Sequence, residues 1–247
     1  MIVAVTSWRG MGATTVAVLL AAAFAVDDEA WLIEADPAGG VLSGRLHVAP
    51  GELAGLERLS FPTDAAVPSP EALAHHRGAL HVLTGPIDPF RAYACHAPRM
   101  PWAPMLRELG RNVVIDVGRM RHGTPAWPLL SLADAVVAVM SPEVSAAVAA
   151  AEWLHAAGRV SIGDPGLEIE RVRMVAVDSP GGVAFDRAAL ADEFGTQWGG
   201  WLPWEPFAVD LVHRGAMLDD RRLRRSALAA GAIDLATSIA LHEEVAA

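Results

Sequence analysis

The chain reads as an α/β protein with a mostly parallel β-sheet and helices on both faces. Three observations lead there: short, continuously apolar runs of strand type, Ala- and Leu-rich helical stretches between them, and a glycine-rich turn joining the first run to the first such stretch. Strands apolar on both sides belong to sheets covered on both faces, and parallel pairing needs a crossover, usually a helix, between successive strands. The first run is Ile2-Val3-Ala4-Val5. Thr14 to Val26 follows as a helix, free of Gly and Pro. Trp31-Leu32-Ile33 is a second strand leading into Glu34-Ala35-Asp36-Pro37-Ala38-Gly39-Gly40, and Leu80 to Leu83, Val113 to Ile115, Ala135 to Val139 and Val172 to Val177 continue the series. Ser141-Pro142-Glu143 supplies an N-cap, a first-turn proline and an acid facing the dipole of a helix that Gly158 closes. Ser69-Pro70-Glu71 to Gly78 repeats that device in miniature, while residues 48–79 show no clear strand and read as a loop with short helices. Residues 218–245 predict a tail helix with Leu228, Ala232, Leu235 and Ile239 on one face. Neither a repeat nor a linker interrupts the chain, so a single domain over residues 1–247 is expected.

Composition narrows the class. Among the 247 residues, 53% are hydrophobic and 19% charged, which excludes intrinsic disorder. A net charge of −10 argues against a general nucleic-acid coat. The lone Cys95 cannot close an internal disulfide, in keeping with a reducing compartment. Residues 16–26 form the longest apolar run, about half of the ~20 residues a bilayer span needs. They mimic a signal peptide, with Arg9 ahead and Ala23-Phe24-Ala25 as a small-residue site, but the glycine turn before them has a better use. A cytoplasmic protein is expected.

That turn is Ser7-Trp8-Arg9-Gly10-Met11-Gly12-Ala13-Thr14-Thr15. Glycines between a strand and a helix let amide N–H groups converge, and the helix start adds partial positive charge, so the turn suits an anion. A Thr14 hydroxyl can ligate Mg²⁺, and Thr15 can bond a phosphate oxygen. No lysine exists anywhere in the chain to add charge; all 19 basic residues are arginine.

The turn resembles the deviant Walker A loop of the ParA/MinD family of dimeric ATPases, Lys-Gly-Gly-x-Gly-Lys-Thr-Thr. Gly10, Gly12, Thr14 and Thr15 match; Trp8 and Ala13 fall where the family has its two lysines, and Arg9 replaces a glycine. Glu34-Ala35-Asp36-Pro37 resembles the family's Asp-x-Asp-Pro segment, which implies that Asp36 aligns the attacking water and Mg²⁺. Val113-Val114-Ile115-Asp116-Val117-Gly118-Arg119 resembles Walker B, with Asp116 as a further Mg²⁺ residue. Met174 to Asp178 and then Trp201-Leu202-Pro203-Trp204 resemble the late strands flanking the base, although Asp178 stands where asparagine is common. The wording of the motifs is also similar to localisation proteins of Tad-type pilus systems.

The resemblance implies a P-loop fold, an ATP or ADP site with Mg²⁺ at Thr14, Asp36 and Asp116, and nucleotide contacts from Arg9, Gly10, Met11, Gly12, Ala13, Thr14, Thr15 and Pro203. The missing lysines change what that site can do. An ammonium ~4 Å from a phosphate contributes at most about 4 kcal/mol at an effective dielectric of ~20. Its loss weakens binding and slows hydrolysis more, because charge moves to the leaving oxygens in the transition state. Three readings stand open: a dimeric scaffold or positioning factor, nucleotide-independent or weakly nucleotide-binding, with an unidentified protein partner; a slow ATPase in which Arg9 replaces the lysines; and a nonspecific DNA-binding protein using Arg221, Arg222, Arg224 and Arg225. Against the DNA reading, that run also suits a solvated helix face paired with Asp219 or Asp220. Arg9 has a bland role open too, solvated or paired with Asp36. Trp8 is either a dimer anchor or a lid over its own loop. The acidic ending His242-Glu243-Glu244 argues against a membrane-targeting tail. The nine histidines read as solvated or capping, and Cys95 as an inert thiol.

Overall fold

The computed structural model describes residues 1–48, 55–62, 68–96, 100–119, 123–159, 166–178 and 184–246, with the side chains of residues 243–246 left aside. One eight-stranded sheet organises them. Its strands are β1 (Ile2–Ser7), β2 (Ala30–Glu34), β3 (His75–Arg77), β4 (Leu80–Leu83), β5 (Asn112–Arg119), β6 (Ala135–Met140), β7 (Val172–Val177) and β8 (Trp198–Leu202). The order is β3-β4-β2-β5-β1-β6-β7-β8, and every pairing is parallel except β3 with β4.

Alternation within each apolar run divides two cores. Ile2, Ala4, Trp31, Ile33, Val113 and Ile115 face one layer, which includes Trp102, Trp127 and Trp153. Val3, Val5, Leu32, Val114 and Val137 face the other, filled by helices Ala13–Phe24 and Ala227–Ala246. The first of these helices is buried on nearly every side because it lies between the sheet and the last helix. Its many alanines let the backbones approach, and its uniformly apolar sequence follows from that position. On the last helix Leu228, Ala232, Leu235 and Ile239 are buried, as their spacing requires. No helix among the described residues is long and apolar enough to cross a membrane.

Central β1 has β5 on one side and β6 on the other. Connections therefore leave in opposite directions at its carboxyl end, opening the crevice where ligands of such sheets bind.

Four expectations need correction. Ser69 does cap a helix, accepting from Ala72 N, but that helix is only Pro70–Leu73, and Ala74 is extended. The expected helix and strand-free stretch give way at residues 75–77 to β3, an antiparallel edge strand in which His76 faces His81 and His81 stacks on Trp31. Ser141 is not an N-cap. The helix is Val144–Ala157 with Glu143 at its cap, Ser141 is 3% exposed, and the Pro142 carbonyl accepts from Ala184 and Phe185 N–H. The tail breaks into Arg221–Arg224 and Ala227–Ala246, because Ser226 turns its hydroxyl to the amide of Ala229 and starts a new helix.

One buried carboxylate ties the end of β2 to the loops around it. Glu34, 1% exposed, accepts from the Val41 and Leu42 amides through Oε1 and from Gly85 N through Oε2 at 2.9 Å. Burial pushes its pKa from an ordinary 4.5 up to about 7, against the lowering pull of those amides. The folded state thus keeps a proton that the unfolded chain releases, so the stability tied to Glu34 protonation is present below pH 4.5 and lost as pH rises toward 7. Urea unfolding of wild type and Glu34→Gln should show the stability difference between them shrinking in favour of the variant across that window. A difference independent of pH would contradict the assignment.

Candidate functional site

The turn after β1 has the geometry of an anion cradle. Ser7 is buried and its Oγ accepts from Gly10 N at 3.2 Å, which starts the turn. Gly10 and Gly12 follow with φ of 73° and 91°, values that side chains with a Cβ resist. Gly12 is the N-cap of helix Ala13–Phe24, and no side chain caps it. First-turn N–H groups without a side-chain cap are those an anion satisfies.

A cavity of about 310 Å³ opens beside this turn, within the usual range for a small-molecule site. Gly10, Met11, Gly12, Thr15, Ser141, Asp178, Pro203, Trp204 and His213 are among the residues that line it. Trp204, 38% exposed, contributes an aromatic surface to it. Trp198 and Trp201 pack against the core below, with Trp198 stacked on Phe194.

On the other side of the turn lie the acids. Asp116, 1% exposed in β5, accepts from Gly118 N at 3.1 Å, and the Thr14 hydroxyl acts on its carboxyl. Burial raises the Asp116 pKa to about 6, while the Thr14 bond holds it down. Asp36 accepts from Ala38 N at 2.8 Å, and a Cβ added at Gly118 would run into its carboxyl group. Burial raises its pKa as well, opposed by that amide and by the charge of Arg119. His96 steadies the same loop: buried and held below its usual pKa by burial, its ring sits 3.0 Å from the Ala35 carbonyl and 2.9 Å from that of Ala92.

Most residues singled out in the sequence therefore converge. Gly10, Met11, Gly12, Thr15 and Pro203 line the cavity, and Thr14, Asp36 and Asp116 gather beside it. Ala13 is buried at the helix start and offers only its backbone. Arg9 is exposed, and the arginine reaching Asp36 is Arg119, whose guanidinium also lies over Gly10. Trp8 is half-buried against the core, which favours packing over its own loop. In the arginine run, Arg222 folds back on Asp220 at 2.9 Å and holds that carboxyl at about 2; Arg221, Arg224 and Arg225 are exposed. Sequence reasoning missed Arg45, Arg119 and His213. His213 Nε2 lies 3.3 Å from Thr15 Oγ1, and no motif spacing links residues so far apart in the chain.

The Gly118–Asp36 contact makes a direct test. Gly118 has φ of 68°, so Gly118→Ala meets both backbone strain and a collision with Asp36. A loss of about 2 kcal/mol or more is expected on urea unfolding. Adding Asp36→Ala should recover part of that loss by removing the collision and leaving the strain; simple additivity of the two losses would refute the contact.

No family model and no curated protein matches this chain. Solved structures do. A ParA family ATPase from Chlorobium tepidum is 15% identical with a TM-score of 0.71, over 96% of this chain and 98% of that one. The cell division ATPase MinD of Pyrococcus furiosus is 18% identical with a TM-score of 0.74, over 96% and 97%. MinD of Pyrococcus horikoshii in complex with Mg-ADP is 18% identical with a TM-score of 0.72, over 96% and 94%. The chain thus has the P-loop fold of the ParA/MinD ATPases along nearly all of its length.

Proposed function

We propose that this protein is a positioning factor of ParA/MinD type that binds adenine nucleotide with Mg²⁺ weakly and turns it over slowly. The observation that carries the reading is a glycine cradle with its first-turn amides uncapped, opening on a nucleotide-sized cavity, in a loop that contributes no ammonium group. Mg-ADP in the similar Pyrococcus horikoshii structure supports the ligand class.

The residues present fit such a ligand. Amides of residues 10–15 would face the phosphates, and Pro203 and Trp204 would flank the base. Mg²⁺ would be held by the Thr14 hydroxyl, with Asp116 and Asp36 beside it. When bound, the ion would neutralise phosphate charge. Asp36, beside Asp116, would be the group to orient a water, while Arg9 stands exposed on the glycine turn.

Partner binding rests on a second feature. Ile87, Phe90 and Tyr93, spaced three apart around helix Pro89–Ala94, are 69%, 86% and 55% exposed. Phe90 and Tyr93 share a helix face, Ile87 lies just ahead of the helix, and exposed apolar groups of this size mark contact surfaces. A Cβ on Gly39 would touch the Ile87 carbonyl, so this face adjoins the Asp36 loop. A protein or second copy docked there would sense the state of that loop.

Calorimetry with Mg-ATP should give a dissociation constant between roughly 10 μM and 1 mM, as loss of an ammonium contact implies. Arg9→Ala should leave affinity unchanged, and Asp36→Ala should abolish whatever turnover is measured. Low-micromolar affinity that depends on Arg9 would overturn this reading in favour of an arginine-rescued ATPase. No heat at millimolar Mg-ATP would overturn it in favour of a nucleotide-independent scaffold.

A further inference from the structure

We infer that His213 is a proton-coupled positioning residue of this lysine-free site: when a phosphate-bearing ligand enters the cavity, the ring takes up a proton from solvent and turns the Thr15 hydroxyl toward the phosphate. The inference rests on the weak-nucleotide reading above and adds a dependence of that binding on pH.

Packing brings the ring there. His213 is the last residue of helix Pro206–His213, whose Ala208, Leu211 and Val212 are buried in the core shared with helix Ala13–Phe24. The turn that follows is fixed as well. Gly215 has φ of 81°, and the Arg45 carbonyl occupies the space where a Cβ would stand. His213 thus lines the cavity with its Nε2 3.3 Å from Thr15 Oγ1, and Thr15 lines the same cavity. Thr15 belongs to the first turn of its helix, where no side chain caps the amides. Among the described residues lining the cavity, His213 is the one whose side chain can become a cation.

A neutral imidazole keeps one nitrogen as an acceptor, whereas imidazolium donates from both. While Nε2 accepts, the Thr15 hydroxyl hydrogen is spent on it. Once the ring is protonated, Nε2–H donates to Thr15 Oγ1 and the hydroxyl hydrogen is free for a phosphate oxygen. The new positive charge attracts the phosphate besides. Burial, and after it the charge of Arg45 from the segment after β2, hold the His213 pKa below the usual 6.5. Asp210 on the same helix pulls the other way while paired with Arg214 at 2.9 Å. Asp178 also lines the cavity, and helix Arg221–Arg224, packed against this one, buries Leu223 and leaves its arginines exposed. Near pH 7 the ligand-free ring is therefore mainly neutral. Phosphate charge favours imidazolium, so ligand and proton strengthen each other's binding.

The test compares wild type with His213→Gln by calorimetry from about pH 6 to about pH 8, with Mg-ATP and adenosine as ligands. Asp36 and Asp116 titrate upward of their ordinary range too, so the readout is the ratio of the two affinities, in which their contribution cancels. For Mg-ATP, wild type should bind roughly tenfold tighter than the variant at the acid end and about equally at the alkaline end. For adenosine the ratio should stay near one throughout. In buffers of different ionisation heat, Mg-ATP binding near pH 7 should take up protons in wild type, and fewer in His213→Gln. Equal affinities of the two proteins for Mg-ATP at every pH would overturn the assignment and leave the weak-nucleotide reading standing. A loss independent of pH, or one shared by adenosine, would overturn it too, showing His213 to be structural. Failure of wild type to bind Mg-ATP at any pH would remove both.

Discussion

Backbone conformation at two glycines underlies everything else in this site. Only with Gly10 and Gly12 in the left-handed region can the chain leave β1, reverse, and enter helix Ala13–Phe24 with its amides facing outward. Ser7 secures the turn from below, and the apolar packing of the helix between sheet and last helix secures it from behind. None of these constraints involves a lysine. The shape of this turn is therefore set by residues other than those that would supply positive charge.

Charge in the site comes from the surrounding walls. Burial lifts Asp116, Asp36 and Glu34 above their ordinary pKa values, and the opposing groups are amides, a hydroxyl and two arginines drawn from distant segments. Arg119 lies over the glycine turn and acts on Asp36, while the charge of Arg45 acts on Asp116. Coulomb interaction within a partly buried site is several-fold stronger than in bulk water, so where these guanidinium groups stand matters more than how many there are.

Much of this was readable in the sequence because apolar strands and glycine turns are local signals. Ile2 to Val5, Trp31 to Ile33 and Val113 to Ile115 announced buried parallel strands, and Thr14, Asp36 and Asp116 came together as the strand order requires. β3 escaped because His75-His76-Arg77 carries no apolar alternation; it exists through pairing with β4 and the stacking of His81 on Trp31. Ser141 was misread because a serine before Pro-Glu looks like a cap, whereas the helix starts only at Val144 and leaves it against the cavity. Arg45, Arg119 and His213 were not legible at all. Arg119 and His213 matter through tertiary approach to Gly10 and Thr15, and Arg45 through its charge on Asp116 and Glu34, which no spacing rule encodes.

The proposed weak nucleotide site beside an exposed apolar face would suit a protein whose task is to be recruited or to recruit, more than one driven by rapid turnover. The decisive measurement is a crystal structure of the protein grown with Mg²⁺ and a non-hydrolysable ATP analogue. The predicted result places the β-phosphate against the amides following Gly10, with the base between Pro203 and Trp204. A loop closed on itself by Met11 or Trp8, or a nucleotide bound away from this turn, would contradict it.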